Sequence, residues 1–477
     1  MTASRVPDTS GGKNRIIFAN GGVSHPAGRT PSCTGCCAMG SPSSRWAPAQ
    51  GPCAGRDQKV PTVAYARYVG AMSTVLVVGS GQAGFQAAAS LRDKGFTGRV
   101  VLIGDEPGVP YQRPPLSKAY LVGTAGADKL LLRPETFFER SEIELVNGRV
   151  ETIDRASASV VLSGGTKLGY DHLVLATGAR NRPLSVPGVE LRGVLALRTR
   201  DDADQLRAAL GHAKDVVVIG GGFIGLEFAA HAGRPVTVVE AQDRLMARVA
   251  TLGISAHFAR LHETAGTTLR LGQGVAALHG SEGGVEAVEL TGGTRLPADL
   301  VVAGVGVLPV TELAAAAGLA VDNGIVVDEQ LRTSDPAVSA IGDCANFPSV
   351  HARCATRLES VQNAVDQARF VAARIVGEPA PYDSVPWFWT DQLGAKLQIA
   401  GIGTGYDTTV VFGDPYEGKF SILSFLDGVL VVVESVNRPG DHISARRLLA
   451  EKRAPTLAEL RASEFNLKEH LKTRSAV

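Results

Sequence analysis

Val75-Leu76-Val77-Val78-Gly79-Ser80-Gly81-Gln82-Ala83-Gly84 is the stretch on which the reading of this chain turns. Four apolar residues, three of them β-branched, run into glycines spaced G-x-G-x-x-G. The pattern predicts a buried strand, a tight turn and the start of a helix. The first glycine permits the turn, the second lets the backbone approach a pyrophosphate, and the third lets helix and strand pack closely. The N–H groups of the helix start then face an anion.

Working outward, the strand–turn–helix continues as Phe85 to Lys94, stopped by Gly95. A second strand follows, Arg99 to Gly104, and ends at Asp105-Glu106. A proline-rich loop comes next, Pro110 to Lys118. Leu145 to Leu162 reads as short strands, and Leu173-Val174-Leu175-Ala176-Thr177-Gly178 as a buried strand ending in a turn. The opening pattern then recurs in Val216-Val217-Val218-Ile219-Gly220-Gly221-Gly222-Phe223-Ile224-Gly225. Its second strand, Val236 to Val239, ends at Glu240, 20 residues past Gly220, the spacing at which a dinucleotide fold places its ribose carboxylate. Two such units indicate two dinucleotides held by one chain. Further on lie strands at Leu300–Val305 and Ile325–Asp328, the strand end Ala340-Ile341-Gly342-Asp343-Cys344-Ala345, and helical spacing from Glu359 to Val376. From Trp387-Phe388-Trp389 onward, β-rich segments at Lys396–Ile402, Thr408–Phe412, Phe420–Phe425 and Val429–Val436 predict an antiparallel sheet. A helix from His442 to Lys452 and a short tail complete the chain.

The chain has 477 residues, 44% hydrophobic and 20% charged, an ordinary balance for a globular protein of two to four domains. A net charge of +1 gives no field for nucleic acid or a membrane surface. The longest apolar run, Leu300 to Val310, is far too short to span a bilayer. Four of the six cysteines, Cys33, Cys36, Cys37 and Cys53, crowd one early segment. No second pair stands at zinc-finger spacing, so no metal is expected, and the body reads as cytoplasmic. Residues 1–71, rich in Gly, Pro, Ser and Thr, read as a disordered leader or an over-extended start.

From Met72 to about residue 470 the chain resembles the FAD-dependent, NADH-linked ferredoxin reductases of the putidaredoxin and rhodocoxin reductase type. The resemblance is carried by the two glycine motifs, Tyr111-Gln112-Arg113-Pro114-Pro115-Leu116-Ser117-Lys118-Ala119-Tyr120-Leu121, Ala176-Thr177-Gly178, Ile341-Gly342-Asp343-Cys344, Arg357-Leu358-Glu359-Ser360-Val361-Gln362-Asn363-Ala364 and Val385-Pro386-Trp387-Phe388-Trp389. It implies an α/β fold of two Rossmann-like dinucleotide-binding domains, like that of glutathione reductase, plus an α+β C-terminal domain with an antiparallel sheet. The implied division is an FAD-binding domain split over 72–181 and 312–385, an NAD-binding domain at 182–311, and a C-terminal domain at 386–477.

The same resemblance implies the sites. Gly79, Gly81, Ala83 and Gly84 would cradle the FAD pyrophosphate, and Asp105 would bond the adenosine ribose. Lys118, Glu227, Glu359 and Trp389 would lie near the flavin ring, with Val150 and Arg198 as further FAD contacts. Asp343 would reach the ribityl hydroxyls. Val361, opening a helix, would set N–H groups beside the flavin edge that carries negative charge when reduced. Gly220, Gly222 and Gly225 would form the NADH turn, Glu227 and Gly304 would lie toward the nicotinamide, and Glu240 would bond the 2′-hydroxyl and repel a 2′-phosphate. Arg244 suits a 2′-phosphate and works against that discrimination. The segment between Gly222 and Glu240 is about three residues shorter than the family's usual length, nearly one helical turn. The implied activity is hydride transfer from NADH to FAD, then single electrons to a separate [2Fe–2S] ferredoxin that feeds an oxygenase, a haem-thiolate monooxygenase or a ring-hydroxylating dioxygenase. The chain itself lacks cluster ligands. An acidic ferredoxin would dock near Arg133 and Arg369, and Arg446, Arg447, Lys452 and Arg453 form a further basic cluster. The competing reading is a flavin-binding redox-signalling protein of the apoptosis-inducing-factor type. A disulfide reductase would need a cysteine pair after Met72, and Cys344 and Cys354 lie ten apart.

Overall fold

The structure, a computed structural model, describes residues 17–19 and 74–475 apart from 379, 404 and 452. The expectations for residues 1–71, the early cysteine cluster among them, and for Lys452 fall outside the described residues except at Ile17–Ala19.

The opening stretch forms the central strand of a five-stranded parallel sheet. Its order is Val338–Ala340, His172–Leu175, Thr74–Val78, Arg99–Gly104, Ile143–Asn147. Val75, Leu76 and Val77 are fully buried, as a parallel strand covered on both faces requires. The helix Gln82–Asp93 starts three residues earlier than the apolar spacing predicts, directly at the glycine turn, and packs against the helix Val361–Ile375. The repeated unit builds a second parallel sheet, Val194–Ala196, Leu300–Ala303, Val216–Ile219, Val236–Glu240, Thr268–Leu271. Chain passes into and out of this unit pair with each other: Ala179–Asn181 lies antiparallel to Val307–Pro309.

The C-terminal sheet is antiparallel with six strands, in the order Ile17–Ala19, Thr408–Asp414, Lys419–Leu426, Val429–Val436, Ala395–Gly401, Trp387–Gln392. Alternation decides what each face covers. Phe420, Ile422, Leu397, Ile399, Val432 and Val436 share one core with Ile254, Phe258 and Leu226 of the second unit. Ala400, Leu423, Phe425 and Val433 instead pack on Ala445, Leu448 and Leu449 of the helix Pro439–Ala450. The sheet is therefore welded to the second unit through one face.

The chain end departs from the expected short tail. Two more helices, Leu457–Ala462 and Leu467–Ser475, fold back there. Thr456 and Glu459 form a capping box that starts the first, and Leu460, Phe465 and Leu467 are buried. The T-x-x-E signature was present in the sequence, but too few apolar residues follow it to show a period.

An acid, Glu434, is buried where the sheet meets the second unit. Glu434 is 1% exposed, and its Oε1 accepts the Thr251 N–H at 2.9 Å. Burial pushes its carboxyl up to about 7. The native protein then holds a proton that the unfolded chain has lost, so stability falls as pH rises from the ordinary carboxyl range through about 7. Glu434→Gln removes that loss. Urea unfolding should show a gain of up to about 3 kcal/mol at pH 8 and little gain at pH 5; equal gains at both would contradict the assignment.

Candidate functional site

Both glycine turns obey the same geometry. Gly79 and Gly220 have φ of +108° and +111°. A Cβ on Gly79 would lie 2.2 Å from the Ala176 carbonyl oxygen, and one on Gly220 would lie 2.3 Å from that of Gly304. The third glycines, Gly84 and Gly225, would meet the carbonyls of Gly79 and Gly220 at 1.8 and 2.3 Å. These four positions are glycine because the protein itself leaves no room. The middle glycines differ. A Cβ on Gly81 or Gly222 would meet nothing within 4 Å. Each opens the N-terminus of a helix, Gln82–Asp93 or Phe223–His231. Their bareness suits a group that approaches from outside, as a pyrophosphate does. Ala83 packs at the same turn, where a Cβ on Gly342 would lie 3.0 Å from its own.

The acids at the strand ends are not equivalent. Val239 is level with Ile219, and Glu240 follows it. Glu240 Oε2 accepts the Gly221 N–H at 2.6 Å, and Oε1 accepts the Gln242 N–H at 2.7 Å. In the first unit Ile103 is level with Val78, so the counterpart of Glu240 is Gly104. Ser80 fills that space: a Cβ on Gly104 would lie 2.1 Å from its Oγ. Asp105 sits one residue past the strand end and is exposed. Its neighbour Glu106, which the spacing gave no reason to single out, accepts from the Tyr111 hydroxyl and the Arg113 guanidinium. Burial leads in pushing the Tyr111 hydroxyl up to about 12. Ser80, Gly81, Glu106, Tyr111 and Arg113 line one cavity.

From there a polar line runs inward. Arg113 donates to the Arg198 carbonyl at 2.8 Å, and the Arg198 guanidinium reaches Asp343 Oδ2 at 3.1 Å. Arg198 Nε is buried with no protein partner, so a polar group from outside fits beside it. Arg357 donates to the Asp343 carbonyl and pairs with Glu359 at 2.7 Å. The helix Val361–Ile375 begins here, capped by Ser360, whose Oγ accepts the Asn363 N–H at 3.0 Å. Val150 is buried at the start of the strand Val150–Asp154.

Lys118 and Glu227, predicted separately, meet. Lys118 Nζ stands 2.6 Å from Glu227 Oε2, with side chains 17% and 8% exposed. Two hydroxyls complete the carboxylate: Ser117 Oγ donates to Oε2 at 2.7 Å and Thr390 Oγ1 to Oε1 at 2.6 Å. Thr390 lies one residue beyond Trp389, on the strand Trp387–Gln392. Trp389 stacks obliquely on Trp387, centroids 5.4 Å apart, and Arg446 lies 4.8 Å from the Trp387 ring centroid. Neither Ser117 nor Thr390 stood out in the sequence. The signal for Thr390 is a pair of polar residues, Thr390 and Gln392, at alternate positions of one strand, both on its buried face.

Arg244 is committed within its own segment. Its guanidinium is spent on the carbonyls of Ala247 and Ala250 and on Ser255 Oγ, each at 2.7–2.8 Å. The helix Phe223–His231 has nine residues against twelve in its counterpart Gln82–Asp93. A cavity of about 150 Å³ lies between His231, at the end of this helix, and the strand turn Asp391–Lys396, away from the glycine end. The described residues contain no group that could hold a metal. Cys344 is buried, and its Sγ donates to the Ile341 carbonyl at 3.2 Å.

Residues 73–368 match the family model described as pyridine nucleotide-disulphide oxidoreductase, and residues 387–471 match the reductase C-terminal model. The chain belongs to the pyridine nucleotide-disulphide oxidoreductase family. It is 51% identical to rhodocoxin reductase of Rhodococcus erythropolis over 399 residues, 83% of this chain and 93% of the relative. It is 50% identical to the solved ferredoxin reductase for the CYP199A2 system from Rhodopseudomonas palustris, with a TM-score of 0.81 over 83% of this chain and 99% of that one. The covalent putidaredoxin reductase–putidaredoxin complex gives 40% identity and a TM-score of 0.81 over 85% and 99%. Membership of this family accounts for the duplicated turn. The two types of glycine within it are separable by mutation. Gly84→Ala should lower the thermal midpoint, since overpacking of this kind costs about 1–3 kcal/mol. Gly81→Ala should leave the nucleotide-free protein as stable as the parent while weakening nucleotide retention; a fall in its stability would contradict the geometry.

Proposed function

We propose that this protein is an NADH-dependent ferredoxin reductase with FAD in the first unit and NADH at the second. The observation that carries this reading is the pair of bare middle glycines, Gly81 and Gly222, at two helix N-termini that the protein does not itself fill. The antiparallel pair Ala179–Asn181 and Val307–Pro309 supports division at 181/182 and 311/312, with a C-terminal domain from 386.

Bound FAD would supply what no side chain here offers, acceptance of an electron pair with a hydride and release of electrons one at a time. Everything else falls to the chain. Gly79, Gly81, Ala83 and Gly84 would let the pyrophosphate sit on the helix start, with Asp105 at the adenosine ribose and Val150 lining the same site. Arg198 and Asp343 would take the ribityl and phosphate side, where Arg198 Nε lacks a partner. Val361 opens a fifteen-residue helix whose N-terminus favours negative charge on the group bound there. Lys118 presents a fixed cation, Trp389 an aromatic surface, and Glu359 a carboxylate beside Arg357.

In the second unit Gly220, Gly222, Gly225 and Gly304 would shape the NADH turn. Glu240, fixed by two backbone N–H groups, would accept from the ribose 2′-hydroxyl and repel a 2′-phosphate. Arg244 is already committed elsewhere, so NADH should be preferred over NADPH. Glu227 would face the nicotinamide, positioned with Lys118 to orient it rather than to exchange a proton. Relatives are named as reductases of rhodocoxin and of ferredoxin, the latter for the CYP199A2 system, and one is solved in covalent complex with putidaredoxin. By analogy we assign the acceptor here as a [2Fe–2S] ferredoxin feeding an oxygenase. Arg133 and Arg369 are exposed and suited to an acidic partner. Among the described residues no helix is long and apolar enough to cross a membrane, and we place the protein in the cytoplasm.

The test is NADH-driven cytochrome c reduction with and without added [2Fe–2S] ferredoxin. The ferredoxin should raise the rate, and NADPH should serve at least about tenfold less well, since a like-charge contact costs several kcal/mol. No increase with ferredoxin would overturn the reading.

A further inference from the structure

The carboxylate of Glu227 is the end of a longer buried chain. Thr390 and Gln392 are 0% and 1% exposed, and His262 is fully buried. Gln392 Nε2 donates to Thr390 Oγ1 at 3.0 Å, and Gln392 Oε1 lies 2.9 Å from His262 Nε2. His262 Nδ1 lies 3.4 Å from Thr267 Oγ1.

The direction of every bond in this chain follows from donor chemistry. A carboxylate only accepts, so the Thr390 hydroxyl gives its single proton to Glu227 Oε1. Thr390 must then accept from Gln392, which fixes the amide with its nitrogen toward Thr390 and its oxygen toward His262. An amide oxygen only accepts, so His262 carries its proton on Nε2. Burial lowers the His262 imidazole below its ordinary range, which keeps the ring neutral and leaves Nδ1 to accept from Thr267. All four donors point the same way, toward the carboxylate. Hydrogen bonds aligned like this polarise one another and act most strongly on the charge at the end.

The chain also ties together parts of the molecule that are remote in sequence. His262 belongs to the helix Leu252–Thr264 and Glu227 to the helix Phe223–His231, while Thr390 and Gln392 lie on the C-terminal strand and Lys118 on the first unit's loop.

We propose that Thr390, Gln392 and His262 are positioning residues for hydride transfer: through an aligned buried hydrogen-bond chain they hold Glu227, and through it Lys118, in the arrangement the transfer uses. The inference rests on the reading of Lys118 and Glu227 as the flavin–nicotinamide pair. It goes beyond that reading because these three residues touch neither nucleotide; they act through Glu227.

The test compares shape-preserving variants of the holoenzyme. Thr390→Val deletes the donor to Glu227, and Thr390→Ser retains it. At saturating NADH, Thr390→Val should reduce its flavin about tenfold more slowly, the worth of a hydrogen bond to a charge, with half-saturation by NADH unchanged. Thr390→Ser should stay within about twofold of the parent. The flavin midpoint potential should become more negative in Thr390→Val and, by less, in Gln392→Met, but not in Thr390→Ser, because a carboxylate with a lost or weakened donor makes the site less favourable for added electrons. Gln392→Met, one step further out, should slow reduction about threefold. With or without flavin, it should also expose the His262 ring N–H to solvent exchange in nitrogen-15 histidine spectra, a signal assigned by its loss in His262→Phe. If Thr390→Val does not retain FAD, Gln392→Met carries the kinetic and potential measurements alone. Parental reduction rate and potential in whichever variant retains FAD would overturn the proposal. A parent protein whose flavin NADH does not reduce would instead overturn the functional reading beneath it.

Discussion

A buried carboxylate has to be matched, and the matching of Glu227 sets how this molecule is assembled. Left alone in the interior such a charge would cost several kcal/mol. Glu227 sits on the helix Phe223–His231, and its partners come from two other places: Lys118 and Ser117 on the first unit's proline-rich loop and Thr390 on the C-terminal sheet. Each partner depends on the packing of its own element. The loop is held by Leu116, Tyr120 and Leu121, which join the core of the second unit. Thr390 is held because the sheet shares that core through Phe420, Ile422, Leu397 and Ile399. The apolar weld and the ion pair therefore support each other, and they meet at the helix that follows the second glycine turn.

Around that point the duplicated unit is used asymmetrically. Both turns need glycine where strand, turn and helix meet, at Gly79 and Gly84 and again at Gly220 and Gly225. The strand ends then diverge. The second unit places a carboxylate, Glu240, against its own turn and fixes it with two N–H groups. The first puts Gly104 there, lets Ser80 occupy the space, and builds an outer wall from Glu106, Tyr111 and Arg113. One shared geometry thus has two different surroundings.

Much of this was legible in the chain. Val75–Val78 and Val216–Ile219 are continuous β-branched runs that end at glycine, and such local signals survive folding unchanged. The antiparallel sheet was readable from Val429–Val436 and its neighbours for the same reason. What the sequence did not disclose are relations that only packing creates. Ser117 and Glu227 meet across 110 positions, and nothing local joins them. Arg244 looked available for a phosphate because a sequence does not show that the carbonyls of Ala247 and Ala250 curl back onto it. Strand register makes Gly104 the counterpart of Glu240, a relation the motif spacing alone does not show. The two final helices escaped because their few buried residues, Leu460, Phe465 and Leu467, are spread across a turn rather than repeated along one face.

Two turns that serve different nucleotides must be separable, and Gly222→Val separates them. Bound flavin and its bleaching by NADH are measured anaerobically in one titration. The variant should retain a full complement of FAD, resist bleaching by NADH, and bleach normally with a chemical reductant. Loss of FAD on changing Gly222, or bleaching by NADH at the parental rate, would contradict the division of labour between the two units.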